Sequence, residues 1–195
     1  MKWIDFERHI KAKNIKLFTP LDMQRFLGRS KIAVTFLIHR LKKQGYIQSI
    51  KRGIYKLPDE QVPDLYVANK LYEPSYVSLD FALSYHRVIP ENVYEITSIT
   101  PKTTRKFETL GKIYSYRRVK KAAFAGYTVE KQKGCSFLIA EPEKAFVDAN
   151  YFRILDGLKP IARFDKEKIN PKKALSYAKL FGKSKLISII KTTLQ

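Results

Sequence analysis

Arg29, Ser30, Lys31, Thr35, His39 and Lys42 form a run of cations and hydrogen-bond donors, and a second pair, Lys51 and Arg52, stands beside Gly53. If residues 31–44 are helical, Lys31, Thr35, His39 and Lys42 recur at three- and four-residue steps and share one face. Guanidinium, ammonium, hydroxyl and imidazole groups so arranged suit phosphates and base edges in a DNA major groove. Arg29 is then expected at guanine or phosphate. Ser30, Lys31, Thr35 and His39 are the further base-edge candidates, and Lys42 suits a phosphate. Lys51 and Arg52 are expected at phosphates or in the neighbouring minor groove. Plainer roles stand beside these: His39 as a surface side chain, Lys42 and Lys43 as a solvated helix end.

No catalytic set of comparable clarity is present. Glu141, Glu143 and Asp148 are three carboxylates near an expected strand end, a pattern that can hold Mg²⁺ in a nuclease or nucleotidyltransferase. A helix N-terminus accounts for Glu141 and Glu143 more simply, because carboxylates there complement the backbone dipole. Asp148 has no carboxylate partner nearby in sequence. His86 follows Tyr85 at a helix end with no adjacent nucleophile or base. Cys135 lacks a Cys/His set around it. No Gly-rich phosphate loop precedes a Lys-Ser/Thr pair. The expectation is a protein without catalytic residues, metal or cofactor.

The elements that must position the cationic run follow from local chemistry. Residues 4–13 read as a helix with Ile4, Phe6 and Ile10 as apolar contacts. Thr19 is an N-cap and Pro20 suits the first helical position, where its missing N–H costs nothing. Leu21, Phe26 and Leu27 are expected inward, and Gly28 suits a C′ position. Ser30 caps the next helix, Lys31 to Gln44, with Ala33, Phe36, Leu37 and Leu41 as its expected buried face. Residues 46–50 and 54–57 read as strands around the Lys51-Arg52-Gly53 turn. Together these describe a winged helix-turn-helix over residues 1–62. Such domains also serve as dimerisation or protein-docking modules.

Residues 58–63, with two prolines, read as a linker. Residues 63–195 read as a mixed α/β domain with a small sheet. Its expected helices are 66–71, 79–86, 141–152 and two at the C-terminus, and its expected strands are 93–100, 112–117 and 137–140. The whole is expected to be α+β. Arg105 and Lys106, set against Arg117, Arg118, Lys120 and Lys121 across a hairpin, suggest a contact with a polyanion or an acidic partner. The lysines of the terminal helices read as a solvated face.

Composition agrees with such partners. The 195 residues carry 38 Lys/Arg against 18 Asp/Glu, a formal charge of +20. That excess suits a polyanion. Residues 1–62 hold 14 Lys/Arg and 5 Asp/Glu, so the basic character is densest there but not confined there. The hydrophobic share of 45% indicates a folded chain. One cysteine excludes a disulfide framework and a cysteine-rich zinc site. No strictly apolar stretch exceeds four residues, which excludes a membrane-spanning helix, and the charged first residues lack a secretory signal's apolar core. An intracellular protein with no membrane partner is expected.

Several runs resemble a known family. Pro74-Ser75-Tyr76-Val77-Ser78-Leu79, Ala82-Leu83-Ser84-Tyr85-His86 and Ile89-Pro90-Glu91 are similar to the central motif of AbiEi-type antitoxins. So are Tyr94-Glu95-Ile96-Thr97-Ser98, the stretch from Thr104-Arg105 to Gly111 with Tyr114 and Tyr116, and Phe137 to Ala145 with its Ala-Glu-Pro-Glu-Lys-Ala core. Gly53-Ile54-Tyr55 matches the family's wing. The likeness runs from about residue 17 to the C-terminus. It departs at Arg87, where the family motif usually has glycine after the histidine. The resemblance implies a bipartite, cytoplasmic protein of a type IV toxin–antitoxin, or abortive-infection, system. Its winged helix would bind inverted repeats in its own promoter and repress the operon. Its second domain would counteract a toxin of nucleotidyltransferase fold. The rival reading is a plain winged-helix regulator whose second domain senses a ligand or a protein.

Overall fold

The computed structural model describes residues 2–195. It is an α+β structure in two compact units, one made of residues up to Pro63 together with Lys133–Cys135, the other of Asp64–Gln132 and Ser136–Gln195.

The first unit begins with three helices, α1 (Trp3–Ala12), α2 (Pro20–Leu27) and α3 (Lys31–Lys43). A two-stranded antiparallel sheet follows, β1 (Gln48–Lys51) and β2 (Ile54–Lys56). Thr19 and Asp22 cap α2 reciprocally: the Asp22 amide donates to Thr19 Oγ1 at 3.3 Å, and the Thr19 amide donates to Asp22 Oδ2 at 2.8 Å. Pro20 occupies the first helical position as expected. Gly28 ends α2 at φ +64°, a left-handed conformation costly for any residue with a Cβ. Two residues later Ser30 Oγ accepts from the Ala33 amide at 3.3 Å and starts α3.

The core of this unit joins Phe6 and Ile10 of α1, Met23 and Leu27 of α2, four residues of α3, and Ile47, Tyr55 and Leu57. Phe18 binds it to the sheet: its amide and carbonyl pair with those of Tyr55, both at 2.9 Å. Its ring meets Phe6 edge-on at 5.3 Å. Lys56 is buried, and its ammonium donates to the carbonyls of Leu57, Pro58 and Glu60. That cation therefore holds the chain's exit from β2 rather than facing a partner.

One expectation about α3 is corrected. Its buried residues are Val34, Leu37, Ile38 and Leu41, while Ala33 and Phe36 are exposed. Apolar residues lie on every side of this helix, so two stripes satisfy the 3.6-residue period. The stripe with the β-branched pair Val34 and Ile38 is the one that packs. Leu21 and Ile4 also face outward, leaving Met23 and Leu27, and Phe6 and Ile10, to fill the core.

The second unit comprises α4 (Asp64–Leu71), β3 (Tyr76–Val77), α5 (Leu79–Tyr85), β4 (Ile96–Thr100), β5 (Arg105–Thr109), β6 (Lys112–Arg118), β7 (Tyr127–Gln132), β8 (Cys135–Ala140), α6 (Pro142–Leu155), α7 (Pro171–Phe181) and α8 (Ser184–Leu194). The six strands form one mixed sheet in the order β5-β6-β4-β3-β8-β7. β4 runs parallel to β6 and β3 parallel to β8, whereas β3–β4 and β5–β6 are antiparallel. Asn69 of α4 behaves as a piece of backbone: its side-chain amide donates to the Leu138 carbonyl and its oxygen accepts from the Leu138 amide.

Helix α6 carries a buried polar network. Asp148 accepts from Tyr76 Oη at 3.0 Å, from Ser78 Oγ at 2.8 Å and from Lys144 Nζ. The Lys144 ammonium also faces the rings of Phe181 and Tyr76 at 4.8 and 5.6 Å. Burial pushes the Asp148 carboxyl above, and the Lys144 ammonium below, its ordinary range, each against the pull of the other.

Candidate nucleic-acid interface

The first candidate group sits around α3. Arg29, Ser30, Lys31, Thr35, His39 and Lys42 are all exposed, as is Arg52 in the β1–β2 turn, while Lys51 is half-buried. Two of the hydroxyls already have partners. Ser30 Oγ accepts from the Ala33 amide, and Thr35 Oγ1 donates to the Lys31 carbonyl at 2.8 Å. Thr35 therefore offers an acceptor outward rather than a donor.

The packed stripe fixes which residues stand farthest from the core. With about 100° per residue, the direction opposite Val34, Leu37, Ile38 and Leu41 is taken by Ile32, Phe36, His39 and Lys43. Lys31 and Lys42 flank the packed stripe instead. Ile32 and Phe36 are 71% and 72% exposed. The sequence reading placed Phe36 inward and did not single out Ile32; it also passed over Arg40 and gave Lys43 only the role of a solvated helix end, and both are exposed.

The stretch that carries this face holds charge of one sign. Between Asp22 and Asp59 the chain has nine Lys or Arg and no carboxylate. Lys56 is buried and internally bonded; the rest belong to α2, α3, the α2–α3 connection, the end of β1 and the β1–β2 turn.

The second candidate group is divided by the sheet. Arg105 is opposite Tyr116, and Lys106 opposite Ser115, so Arg105 and Lys106 point to opposite faces. Arg117 forms two hydrogen bonds to Asp156, at 2.6 and 2.8 Å, and lies 4.1 Å from the centre of the Phe152 ring. The Asp156 carboxyl is held below its ordinary range by that hydrogen bond and the nearby guanidinium. Lys106 approaches Glu95 at 3.9 Å. Arg118 ends β6, and Lys120 and Lys121 lie beyond it, Lys121 in a 3₁₀ turn with Ala122 and Ala123; all three are exposed. The six cations thus make no single surface. An open cavity of about 570 Å³ takes in Arg105, Lys106 and Arg117 together with Asp80, Glu95 and Asp156, a lining of both signs.

The three carboxylates considered for catalysis are separately engaged. Glu141 accepts from Tyr177 Oη and pairs with Lys173 at 3.1 Å. Burial raises its carboxyl, but these two bonds prevail and leave it below its ordinary range. Glu143 accepts from the Asn170 amide at 3.2 Å. Asp148 is in the buried network. Among the described residues no group of three His, Cys, Asp or Glu side chains is placed to hold a metal ion. His86 donates from Nε2 to the Ala140 carbonyl at 2.8 Å. No helix of the described residues is long and apolar enough to cross a membrane.

No family model matches the chain, and no curated protein matches it in sequence. Among solved structures, the RV2827C protein from Mycobacterium tuberculosis is similar in fold. The TM-score is 0.50 at 13% identity, over 96% of this chain and 80% of that one. At that identity the likeness is one of fold alone.

Proposed function

We propose that the chain is a DNA-binding antitoxin. Residues 1–62 act as a winged helix-turn-helix that represses its own operon, and residues 63–195 counteract a toxin of nucleotidyltransferase fold. The observation that carries the DNA half is the α3 surface: exposed Arg29, Lys31, His39 and Lys42, with Arg52 in the following turn, inside a stretch without a carboxylate from Asp22 to Asp59. Such a surface attracts phosphate at any sequence, and the outward side chains of α3 then read base edges.

The antitoxin half rests on the resemblance to AbiEi-type antitoxins. The runs that carry it fall on β3 with the start of α5, on β4, on the β5–β6 hairpin, and on β8 with the start of α6. Co-expression of the full chain with the product of the neighbouring gene, scored by colony growth, tests this half. Growth restored by the chain supports it. Killing that continues with the chain folded and expressed removes it.

One observation favours a second reading, a plain regulator with a sensing domain. The 570 Å³ cavity is lined by residues of both signs, four cationic (Arg153 besides Arg105, Lys106 and Arg117) and three acidic, which suits a small zwitterionic ligand. Under that reading the neighbouring gene encodes no toxin, and a ligand changes DNA affinity.

A further inference from the structure

We infer that Ile32 and Phe36 read thymine, each packing on the C5-methyl group of a thymine in the major groove. This rests on the DNA-binding reading above and adds what the helix recognises. Two large apolar side chains, 71% and 72% exposed and one turn apart, form a spot at the outermost line of α3. Leaving them in water forfeits the stabilisation that burial elsewhere would give, so the spot is expected to be covered by a partner.

The charge around the spot selects the partner. A second copy of this chain placed there would bring its own carboxylate-free stretch, with nine Lys or Arg between Asp22 and Asp59, against the first. DNA presents the complement: phosphates along both rims of the groove and, on its floor, one apolar group, the thymine methyl. The cations flanking the spot, Arg29 and Lys31 before it and Arg40 and Lys43 after it, match the rims. Ile32 lies in the first turn of α3, the part of a groove-bound helix closest to base edges. Four residues of helix rise about 6 Å, close to two base-pair steps of about 3.4 Å. The two side chains therefore address thymines one or two steps apart.

The test uses the full chain and a labelled duplex of the DNA upstream of its own gene, beside the same duplex with deoxyuridine in place of thymidine. The two differ only in the C5-methyl. Burial of one methyl is worth about fourfold in affinity, so with two methyls the parent is expected to bind the thymidine duplex roughly fifteenfold more tightly. Ile32→Ala with Phe36→Ala is expected to weaken thymidine binding by the same factor and bring the ratio of the two affinities near one. Both positions are exposed, so the fold is expected to persist. The ratio is in any case independent of the active fraction.

Equal binding of both duplexes by the parent overturns the inference, as does a double variant that weakens both alike and keeps the ratio. A parent dimer in sedimentation that the double variant dissolves also overturns it, assigning the spot to a second copy. Capture of an acidic protein on the same face, lost in the double variant while the duplex ratio stays, does likewise. If the parent prefers neither duplex over random DNA at equal salt, the DNA-binding reading itself fails and this inference with it.

Discussion

Lys144 donates to the carboxylate of Asp148 one helical turn further along α6, and neither side chain exposes any surface. The pair has the residue types of a catalytic site and the surroundings of a structural one. The second oxygen of Asp148 is bonded by Tyr76 and Ser78, which ties α6 to β3 and to the entry of α5. Removing one member leaves the other charged, buried and incompletely paired. Lys144→Ala is therefore expected to cost about 3–5 kcal/mol in urea unfolding. Lys144→Met with Asp148→Asn should cost clearly less than the two single losses added together. Additive losses would mean that the two groups do not act as a pair.

At Gly126 the backbone runs close beneath the Tyr177 ring and the Lys144 stem. It sits at φ +77°, and a Cβ there would meet the Tyr177 ring at 2.7 Å. Its carbonyl also accepts from the Glu141 amide at 3.0 Å. Gly126→Ala adds left-handed strain to a clash with the ring that bonds Glu141. A loss of about 2–4 kcal/mol is expected, read as a lowered Tm. An unchanged Tm would show that Tyr177 moves aside freely.

The Arg117–Asp156 pair gives a pH signature. The carboxyl of Asp156 lies below its ordinary range because Arg117 bonds its charged form. A depressed carboxylate stabilises the fold above its unfolded pKa, and that contribution is lost as the pH falls through the lower folded value. The stability difference between the parent and Asp156→Asn should therefore be constant above about pH 5 and shrink below about pH 4. Solvent screening keeps it at or under about 1 kcal/mol. A difference that grows on acidification would reverse the assignment.

Much of the first unit is legible because its punctuation is local. Thr19, Pro20, Gly28 and Ser30 announce the ends of α2 and α3 by the chemistry of the cap, and the structure uses each of them. What was hidden depends on packing. Helix α3 is apolar on all sides, so only contact with the rest of the unit decides that Val34 and Ile38 go in and Phe36 stays out. In the second unit β7 escaped notice: four of its six residues are exposed and three of the six are charged or amide, a pattern that sequence alone cannot tell from a loop. The buried role of Lys144 escaped too, because the rings that cover it, Tyr76 and Phe181, come from two distant parts of the chain.

The two halves of the proposed function should separate by mutation. Arg29→Ala with Lys31→Ala is expected to weaken operator binding and leave growth rescue intact, since both residues belong to the first unit. Gel shift and colony counts on one variant check this together. Joint loss of both activities, in a variant that remains folded, would tie neutralisation to DNA binding.

The most direct measurement is the affinity of the full chain for the DNA upstream of its gene, by fluorescence anisotropy, across about 50–200 mM salt. Each phosphate contact contributes roughly 0.9 to the log–log slope. Arg29, Lys31, Lys42 and Arg52 alone thus predict a slope of about −3.5 or steeper, and changing all four to alanine should flatten it by about that amount. Binding that keeps the same slope in the fourfold variant, or no preference for this DNA over random sequence, would contradict an α3-centred DNA interface.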